Sequence, residues 1–122
     1  MIDECDEIED TVRRAMQSEN PWSQLSLESQ RTTDTWYFWS FAFDTALDNR
    51  NFLLVNQIMT EQLQHHEDFS AQPNYMAGYA LALEHFEKNE EALRAIRSAI
   101  QDDPYDANFE QIERRLIEKL RR

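Results

Sequence analysis

A run of histidines and acids is the part of this chain whose residue types come closest to a metal site. The run reads His65-His66-Glu67-Asp68. Glu61 precedes His65 by four positions, so the two could share one face of a helix. Adjacent histidines on a helix point in different directions, however, and no second histidine follows at the four-residue spacing of the zinc proteases. We therefore expect a solvated helix end here, with no metal and no other cofactor.

Other residue types that support catalysis are poorly placed for it. The single cysteine, Cys5, lies among six acids in the first ten residues, and their negative charge disfavours the reactive thiolate. The single glycine, Gly78, excludes a glycine-rich phosphate loop. Because the chain has 24 acids, pairs of carboxylates arise by chance and identify no general acid or base. We expect a protein that is not an enzyme.

The aromatic segment at residues 33–48, TDTWYFWSFAFDTALD, is the most informative stretch of the sequence. Apolar and polar residues do not alternate in it, so its pattern favours a helix over a strand. At about 100° per residue, one side of that helix forms an aromatic stripe of Trp36, Trp39, Phe43 and Leu47. The opposite side holds Phe38, Phe41 and Ala42. A helix that is apolar over more than half of its circumference needs two contact surfaces.

The aromatic stripe has two interpretations, and the sequence leaves both open. In the first it is core, covered by the N-terminal helix and by Trp22, Leu25 and Leu27. In the second it lines a groove for a partner, because large aromatic side chains in a concave site are good anchors. Three acids border the stripe, and they would attract a basic partner: Asp34, Asp44 and Asp48.

The charge of the chain narrows the class of partner. The 24 acids and 12 bases give a net charge of -12. Residues 1–91 carry 18 acids and 5 bases, whereas residues 92–122 carry 6 acids and 7 bases. This excess of acid argues against direct binding of nucleic acid and against docking on an anionic membrane, and it would steer a basic protein toward the chain.

Targeting signals are not expected in this sequence. The uninterrupted apolar stretches are far shorter than the roughly 20 residues that span a bilayer, and the first ten residues lack the positive charge of a secretory signal. One cysteine fits a reducing compartment. These features together predict a cytoplasmic protein.

Apolar spacing, caps and prolines predict a single all-α domain of five or six helices. We expect helices over residues 4–17, 33–48, 52–66, 73–87, 90–101 and 106–121. Residues 22–32 are ambiguous because they are short and rich in serine. One glycine and three prolines in the whole chain argue against an all-β fold, which needs frequent turn residues.

Residues 73–104 have the pattern of a helical hairpin that a proline closes. A small residue, Ala80, lies in the first helix, and the second helix and its end hold Ala92, Leu93, Ile96, Ala99 and Pro104. In these residues the segment resembles a tetratricopeptide repeat, in which a small residue stands where the two helices touch and a proline follows the second helix. The sequence departs from the family at three positions: Glu87 replaces the turn glycine, Asn89 replaces an aromatic residue and Met76 replaces a tryptophan.

Residues 33–66 resemble a degenerate earlier copy of the same repeat. Phe38, Phe41 and Ala42 lie 38 positions before Met76, Tyr79 and Ala80. Val55 and Met59 lie 37 positions before Ala92 and Ile96. The resemblance implies a short array of stacked antiparallel helical hairpins. Since such arrays usually need about three units, residues 1–32 would supply an N-terminal helix and connector, and residues 105–122 a capping helix. A helical bundle without repeats is the alternative.

The resemblance also implies a groove that binds peptides or helices. The expected binding residues are the aromatic stripe and its bordering acids, continued by Ala77, Leu81 and His85. We expect a non-catalytic adaptor or chaperone-like module for a peptide, a helix or a basic protein, and the sequence leaves homodimerisation open. The alternative is a small acidic inhibitor, such as an immunity protein, an antitoxin or a nucleic-acid mimic, that neutralises a basic toxin or nuclease.

Overall fold

Seven helices form the part of the chain that the computed structural model describes, residues 4–65 and 72–122. They are α1 (Glu4–Met16), α2 (Pro21–Ser29), α3 (Thr35–Asp48), α4 (Phe52–His65), α5 (Pro73–His85), α6 (Asn89–Asp102) and α7 (Ala107–Leu120). No strand occurs within the described residues. The predicted all-α class is confirmed. The number of helices exceeds the predicted five or six because the serine-rich stretch also forms a helix, α2.

Helix α2 begins with two local features that favour a helix start. The side-chain oxygen of Asn20 accepts a hydrogen bond from the backbone N–H of Ser23 at 3.2 Å. Pro21 occupies the first turn, where its missing N–H leaves no helical bond unmade. Leu25 of the same helix is fully buried. The Asn20-Pro21 pair, which the sequence marks as the end of the preceding helix, is therefore also the start of the next one.

Contacts between helices group the chain into two compact units, residues 1–54 and 55–122. In the first unit α1 packs against α2 and α3, and α2 also contacts α3. In the second unit α6 packs against α5 and α7, and α5 also contacts α7. Helix α4 begins in the first unit and continues in the second. Among the side chains buried most deeply are Val12, Leu25, Phe38 and Phe43 in the first unit and Ile58, Met59, Ile96 and Leu116 in the second.

The turns that follow α3 and α5 have the same geometry. Arg50 has a φ of 57° and Glu87 a φ of 62°, both in the left-handed region. In each turn this residue donates to the carbonyl three positions earlier, at 3.0 Å after α3 and 2.9 Å after α5. The next residue donates to the carbonyl five positions earlier, at 2.9 Å in both turns. Both turns are thus Schellman caps, which satisfy the last carbonyl groups of a helix.

These caps fix the register between the two helix–turn–helix segments. Arg50 precedes Glu87 by 37 positions, and the start of α4 precedes the start of α6 by the same offset. Because α3 and α5 are uninterrupted helices, the offset of 37 also applies along them. Ala80 therefore corresponds to Phe43, whereas the sequence pattern paired it with Ala42 through an offset of 38. Alignment by the caps and alignment by the sequence pattern therefore differ by one residue in the first helices.

The predicted register of the second helices agrees with the caps. At an offset of 37, Val55 corresponds to Ala92 and Met59 to Ile96, and all four side chains are fully buried. The two segments therefore bury equivalent positions in α4 and α6.

Glu84 connects α5 to α7 within the second unit. Its side chain is 9% exposed, and Arg115 donates to its two carboxylate oxygens at 2.5 and 2.7 Å. Lys119 lies 2.8 Å from the same carboxylate. These hydrogen bonds, that of Arg115 foremost, hold the pKa of Glu84 below its ordinary value of 4.5, although burial opposes them. The ion pair therefore stabilises the fold only while the carboxylate is charged.

Substituting the left-handed residue by glycine should stabilise the protein. We expect Glu87→Gly to raise the free energy of unfolding by about 0.5–1 kcal/mol, since glycine adopts a positive φ without strain. Glu118→Gly in α7 removes the same charge at an exposed helical position and should lower stability by a similar amount. Urea unfolding followed by far-ultraviolet circular dichroism measures both variants. A loss of stability in Glu87→Gly would contradict the cap.

Neutralising Glu84 should destabilise the protein in a pH-dependent way. We expect Glu84→Gln to cost about 1–2 kcal/mol at pH 7, because two charge-assisted hydrogen bonds across helices are weakened. Since the pKa of Glu84 is lowered by folding, its contribution is complete above the ordinary carboxyl value and is lost as the pH falls below it. The difference between wild type and variant should accordingly shrink in unfolding curves recorded at decreasing pH.

Glu110→Gln provides the matched control for that measurement. Glu110 pairs with Arg114 of the same helix, and both side chains are more than half exposed. Its substitution should cost less than about 0.5 kcal/mol. Equal losses in the two variants would show that the contact between α5 and α7 contributes nothing beyond a surface pair.

Candidate functional site

The structure divides the aromatic stripe between core and surface. Trp39 is 6% exposed and Phe43 is 1% exposed, so the core interpretation applies to these two side chains. Trp36 is 40% exposed and Leu47 is half-buried. The groove interpretation is left with Trp36 and Leu47, because a side chain that is already buried offers no surface to a partner.

Ring contacts in the first unit explain the burial of Trp39. The ring of Trp22 in α2 lies 5.6 Å from that of Trp39, centroid to centroid, at an interplanar angle of 40°. Phe38 meets Trp39 edge-on at 5.2 Å and 83°. Trp22 thus covers Trp39 as the core interpretation expects, whereas Leu27 is 44% exposed and is not part of that buried core. Tilted and edge-on contacts of this kind add to the stabilisation by area alone.

A second stripe on α3, which we call the acidic strip, consists of Tyr37, Phe41, Asp44 and Asp48. These residues follow positions i, i+4, i+7 and i+11, so they lie within about 60° of one another around the helix. Tyr37 and Phe41 are half-buried, and both aspartates are exposed. The strip therefore has an aromatic half and an acidic half on a single side of α3.

The aromatic half of the acidic strip contacts α1. The hydroxyl of Tyr37 donates to the carboxylate of Glu9 at 3.1 Å, and burial together with this bond raises the pKa of the hydroxyl. The rings of Tyr37 and Phe41 stack at 6.4 Å and 17°. The guanidinium of Arg13 lies 5.2 Å from the centre of the Phe41 ring. It also reaches the carboxylates of Glu9 and Asp10, each at 3.4 Å.

Sequence reasoning missed this aromatic half. It grouped Phe41 with Phe38 and Ala42 on the side opposite the aromatic stripe and assigned no contact to Tyr37. The spacing of Tyr37 and Phe41, four residues apart and in line with the two aspartates, is the signal that could have found it. The contact with Arg13 has no such signal, because it depends on how α1 packs.

The acidic half of the strip holds uncompensated negative charge. Burial and the nearby charge of Asp48 raise the pKa of Asp44. No basic side chain within residues 4–65 and 72–122 forms an ion pair with either aspartate. Asp34, the third predicted acid, instead caps α3 by accepting a hydrogen bond from the backbone N–H of Tyr37 at 3.0 Å. Asp34 therefore has a structural role that the other two lack.

The predicted continuation of the groove lies on α5, in the second unit. Ala77 is buried, Leu81 is half-buried and His85 is exposed. The ring of His85 meets that of Phe86 edge-on at 5.1 Å. The three residues share one face of α5, at positions i, i+4 and i+8. Ala77 is as buried as Trp39 and offers no surface to a partner, whereas the participation of Leu81 and His85 stays a prediction.

The histidine run is described only in part. Nε2 of His65 lies 3.2 Å from the carboxylate of Glu61, so these two residues share a helix face as expected. His66, Glu67 and Asp68 lie outside the described residues. Within the described ranges no group of three or more histidine, cysteine, aspartate or glutamate side chains could hold a metal ion.

Comparisons with known protein families, with curated proteins and with solved structures find no significant match to this chain. Over the described residues, none of the helices has the length and apolar character needed to cross a membrane.

Truncating the two tryptophans of the stripe should separate core from surface. We expect Trp39→Ala to lower the free energy of unfolding by about 3–5 kcal/mol, because it leaves a cavity beside Trp22. Trp36→Ala removes the same atoms from a half-exposed position and should cost about 1 kcal/mol or less. All three tryptophans lie in the first unit, so urea unfolding followed by tryptophan emission reports on it directly. Equal losses in the free energy of unfolding would contradict the assignment of Trp39 to the core and Trp36 to the surface.

Proposed function

We propose that this chain is a non-catalytic interaction module that holds a basic protein partner on the exposed side of α3. The observation that carries the proposal is that α3 exposes both an aromatic anchor at its N-terminal end, Trp36, and two carboxylates without an ion pair toward its C-terminal end, Asp44 and Asp48. Tryptophan is enriched among the residues that dominate binding energy. Acidic residues beside such an anchor accelerate the approach of a positively charged partner.

The energetics of the acidic pair support a basic partner in particular. Asp44 and Asp48 lie four residues apart on one helix, where like charges destabilise each other. Partial burial, and after it the charge of Asp48, raise the pKa of Asp44. A lysine or arginine from a partner would turn the repulsion into two attractive contacts. Binding of a basic partner would therefore be favoured by relief of the repulsion between the two aspartates.

The resemblance to tetratricopeptide repeats supports a binding role for α3. At the offset of 37, Trp39 takes the position of Met76, where the family has a tryptophan. The Schellman caps after α3 and α5 and the equivalent buried positions of α4 and α6 support the comparison of these two segments. We infer that residues 35–65 and 73–102 are tetratricopeptide-like copies, and proteins of that family commonly bind peptides or helices.

An inhibitor is the second candidate function, and the net charge of -12 favours it. A dedicated inhibitor of a basic toxin or nuclease would use the same side of α3 and would abolish the partner's activity at a ratio of one to one. An adaptor or chaperone would leave that activity intact or deliver the partner folded. Measuring the activity of the captured partner with and without this chain distinguishes an inhibitor from an adaptor or chaperone.

Affinity capture with matched variants tests whether the exposed residues of α3 bind the partner. The tagged protein is used as bait in a lysate of its native host, beside Trp36→Ala and the double variant Asp44→Asn/Asp48→Asn, and captured proteins are identified by mass spectrometry. We expect a basic protein to be enriched by wild type and lost with both variants. The double variant Asp102→Asn/Asp103→Asn removes the same charge from exposed positions at the C-terminal end of α6 and should retain the captured protein.

Binding kinetics with the captured partner complete the test. Trp36→Ala should weaken affinity by about 2 kcal/mol or more. Asp44→Asn/Asp48→Asn should slow association, and the effect should shrink as salt rises, because ions screen exposed charges. A partner that is retained equally by all variants, or whose association ignores both salt and these substitutions, would contradict the proposed site.

A further inference from the structure

Helix α7 is a basic amphipathic helix in an acidic chain. Residues 107–122 carry 5 bases and 3 acids, whereas residues 1–106 carry 7 bases and 21 acids. One stripe of α7 is buried, at positions i, i+3 and i+7: Phe109, Ile112 and Leu116. The other residues of this helix are exposed or half-buried. The chain therefore contains a basic helix of the kind that the charge of its remaining residues attracts.

Charged contacts join α7 to both neighbouring helices of the second unit. On α5, the carboxylate of Glu84 is 9% exposed, accepts hydrogen bonds from Arg115 at 2.5 and 2.7 Å and lies 2.8 Å from Lys119. On α6, Arg97 donates to the carboxylate of Glu113 at 3.2 Å. A carboxylate as buried as that of Glu84 is costly without a cation. The face that α7 covers therefore favours a helix that brings an arginine to this position.

The connection between α6 and α7 has the features of a hinge. Residues 101–105 are all exposed, and Tyr105 is 96% exposed. Asp103 leaves α6 with a φ of -141°, and Pro104 has no N–H to donate, so the Schellman cap that fixes the turn after α5 is not formed here. A few loop residues that absorb changes in φ and ψ are sufficient for a hinge. Opening of α7 would therefore break the contacts of α7 itself and little else.

We propose that the face of α5 and α6 beneath α7 is a binding site for a basic amphipathic helix of a partner protein, and that α7 occupies it in the free chain. The inference goes beyond the site on α3 and does not depend on it. The contacts of α7 define the helix that fits: apolar residues at i, i+3 and i+7, with an arginine at i+6 that reaches Glu84. Since a partner helix has to compete with α7, its apparent affinity is reduced by the small fraction of chains in which α7 is displaced. Helix α7 is thus an autoinhibitory cover.

A fluorescent synthetic peptide of residues 105–122 tests the site, because it has the chemistry of α7 without the tether. Fluorescence anisotropy measures its dissociation constant for the full-length chain and for the variant Arg115→Gln. This substitution weakens the hold of the tethered helix and leaves Glu84 available to the peptide, which keeps its own arginine. We expect the variant to bind the peptide about tenfold more tightly than wild type does.

Matched controls separate this contact from charge alone. Arg114→Gln removes the same charge from the adjacent residue, whose partner Glu110 lies on α7 itself, and should change peptide binding by less than about twofold. A second peptide that carries Arg115→Gln should bind the Arg115→Gln chain about tenfold more weakly than the first peptide does. If the Arg115→Gln chain does not fold, Lys119→Gln replaces it, because the Lys119 side chain is 40% exposed. Its gain in peptide affinity should be about threefold.

Three results would overturn the inference. The first is that neither variant binds the peptide below about 1 mM, which is the effective concentration of a helix on a short tether. The second is that Arg115→Gln and its control Arg114→Gln bind it equally, or that the two peptides bind equally. The third is that analytical ultracentrifugation shows a dimer of wild type that Glu84→Gln converts to a monomer, because the occupant is then α7 of a second copy. Since these measurements leave α3 unchanged, their failure is distinct from a failure of the proposed function.

Discussion

The burial of one side of α3 is the constraint on which the first unit depends. Phe38, Trp39 and Phe43 all point into that unit's core, where α1 and α2 pack against α3. Trp36 and the two aspartates of the acidic strip are left exposed to solvent. The proposed recognition can therefore use only the residues of α3 that the core does not bury.

The sequence predicts the helices with clear periodicity and local caps, but not the orientation of α3. Because α3 is apolar on two opposite sides, its pattern is consistent with either side as core. Tertiary contacts determine which side of α3 is buried, above all the contact of Trp22 with Trp39. No pattern within α3 encodes these contacts. Helix α2 was ambiguous for a related reason: it is short, and the Asn20 cap rather than an apolar stripe defines it.

The alignment of the two proposed repeat copies is also left open by the sequence pattern. An offset of 38 residues aligns the aromatic and small residues of α3 with those of α5. An offset of 37 residues aligns the apolar residues of α4 with those of α6. The left-handed residues Arg50 and Glu87 decide between them, and neither is a glycine, so neither carries the usual signal of a helix cap. Backbone geometry thus identifies the equivalence where side-chain types leave it open.

The repulsion between Asp44 and Asp48 has a consequence for engineering the protein. Laboratory selection for heat resistance alone would favour replacing one of the two aspartates, because the folded chain is more stable without the conflict. Such a thermostable variant would fold well and would have lost part of the charge to which the proposed function assigns partner binding. Screens of this protein therefore need recognition as a second criterion beside melting temperature.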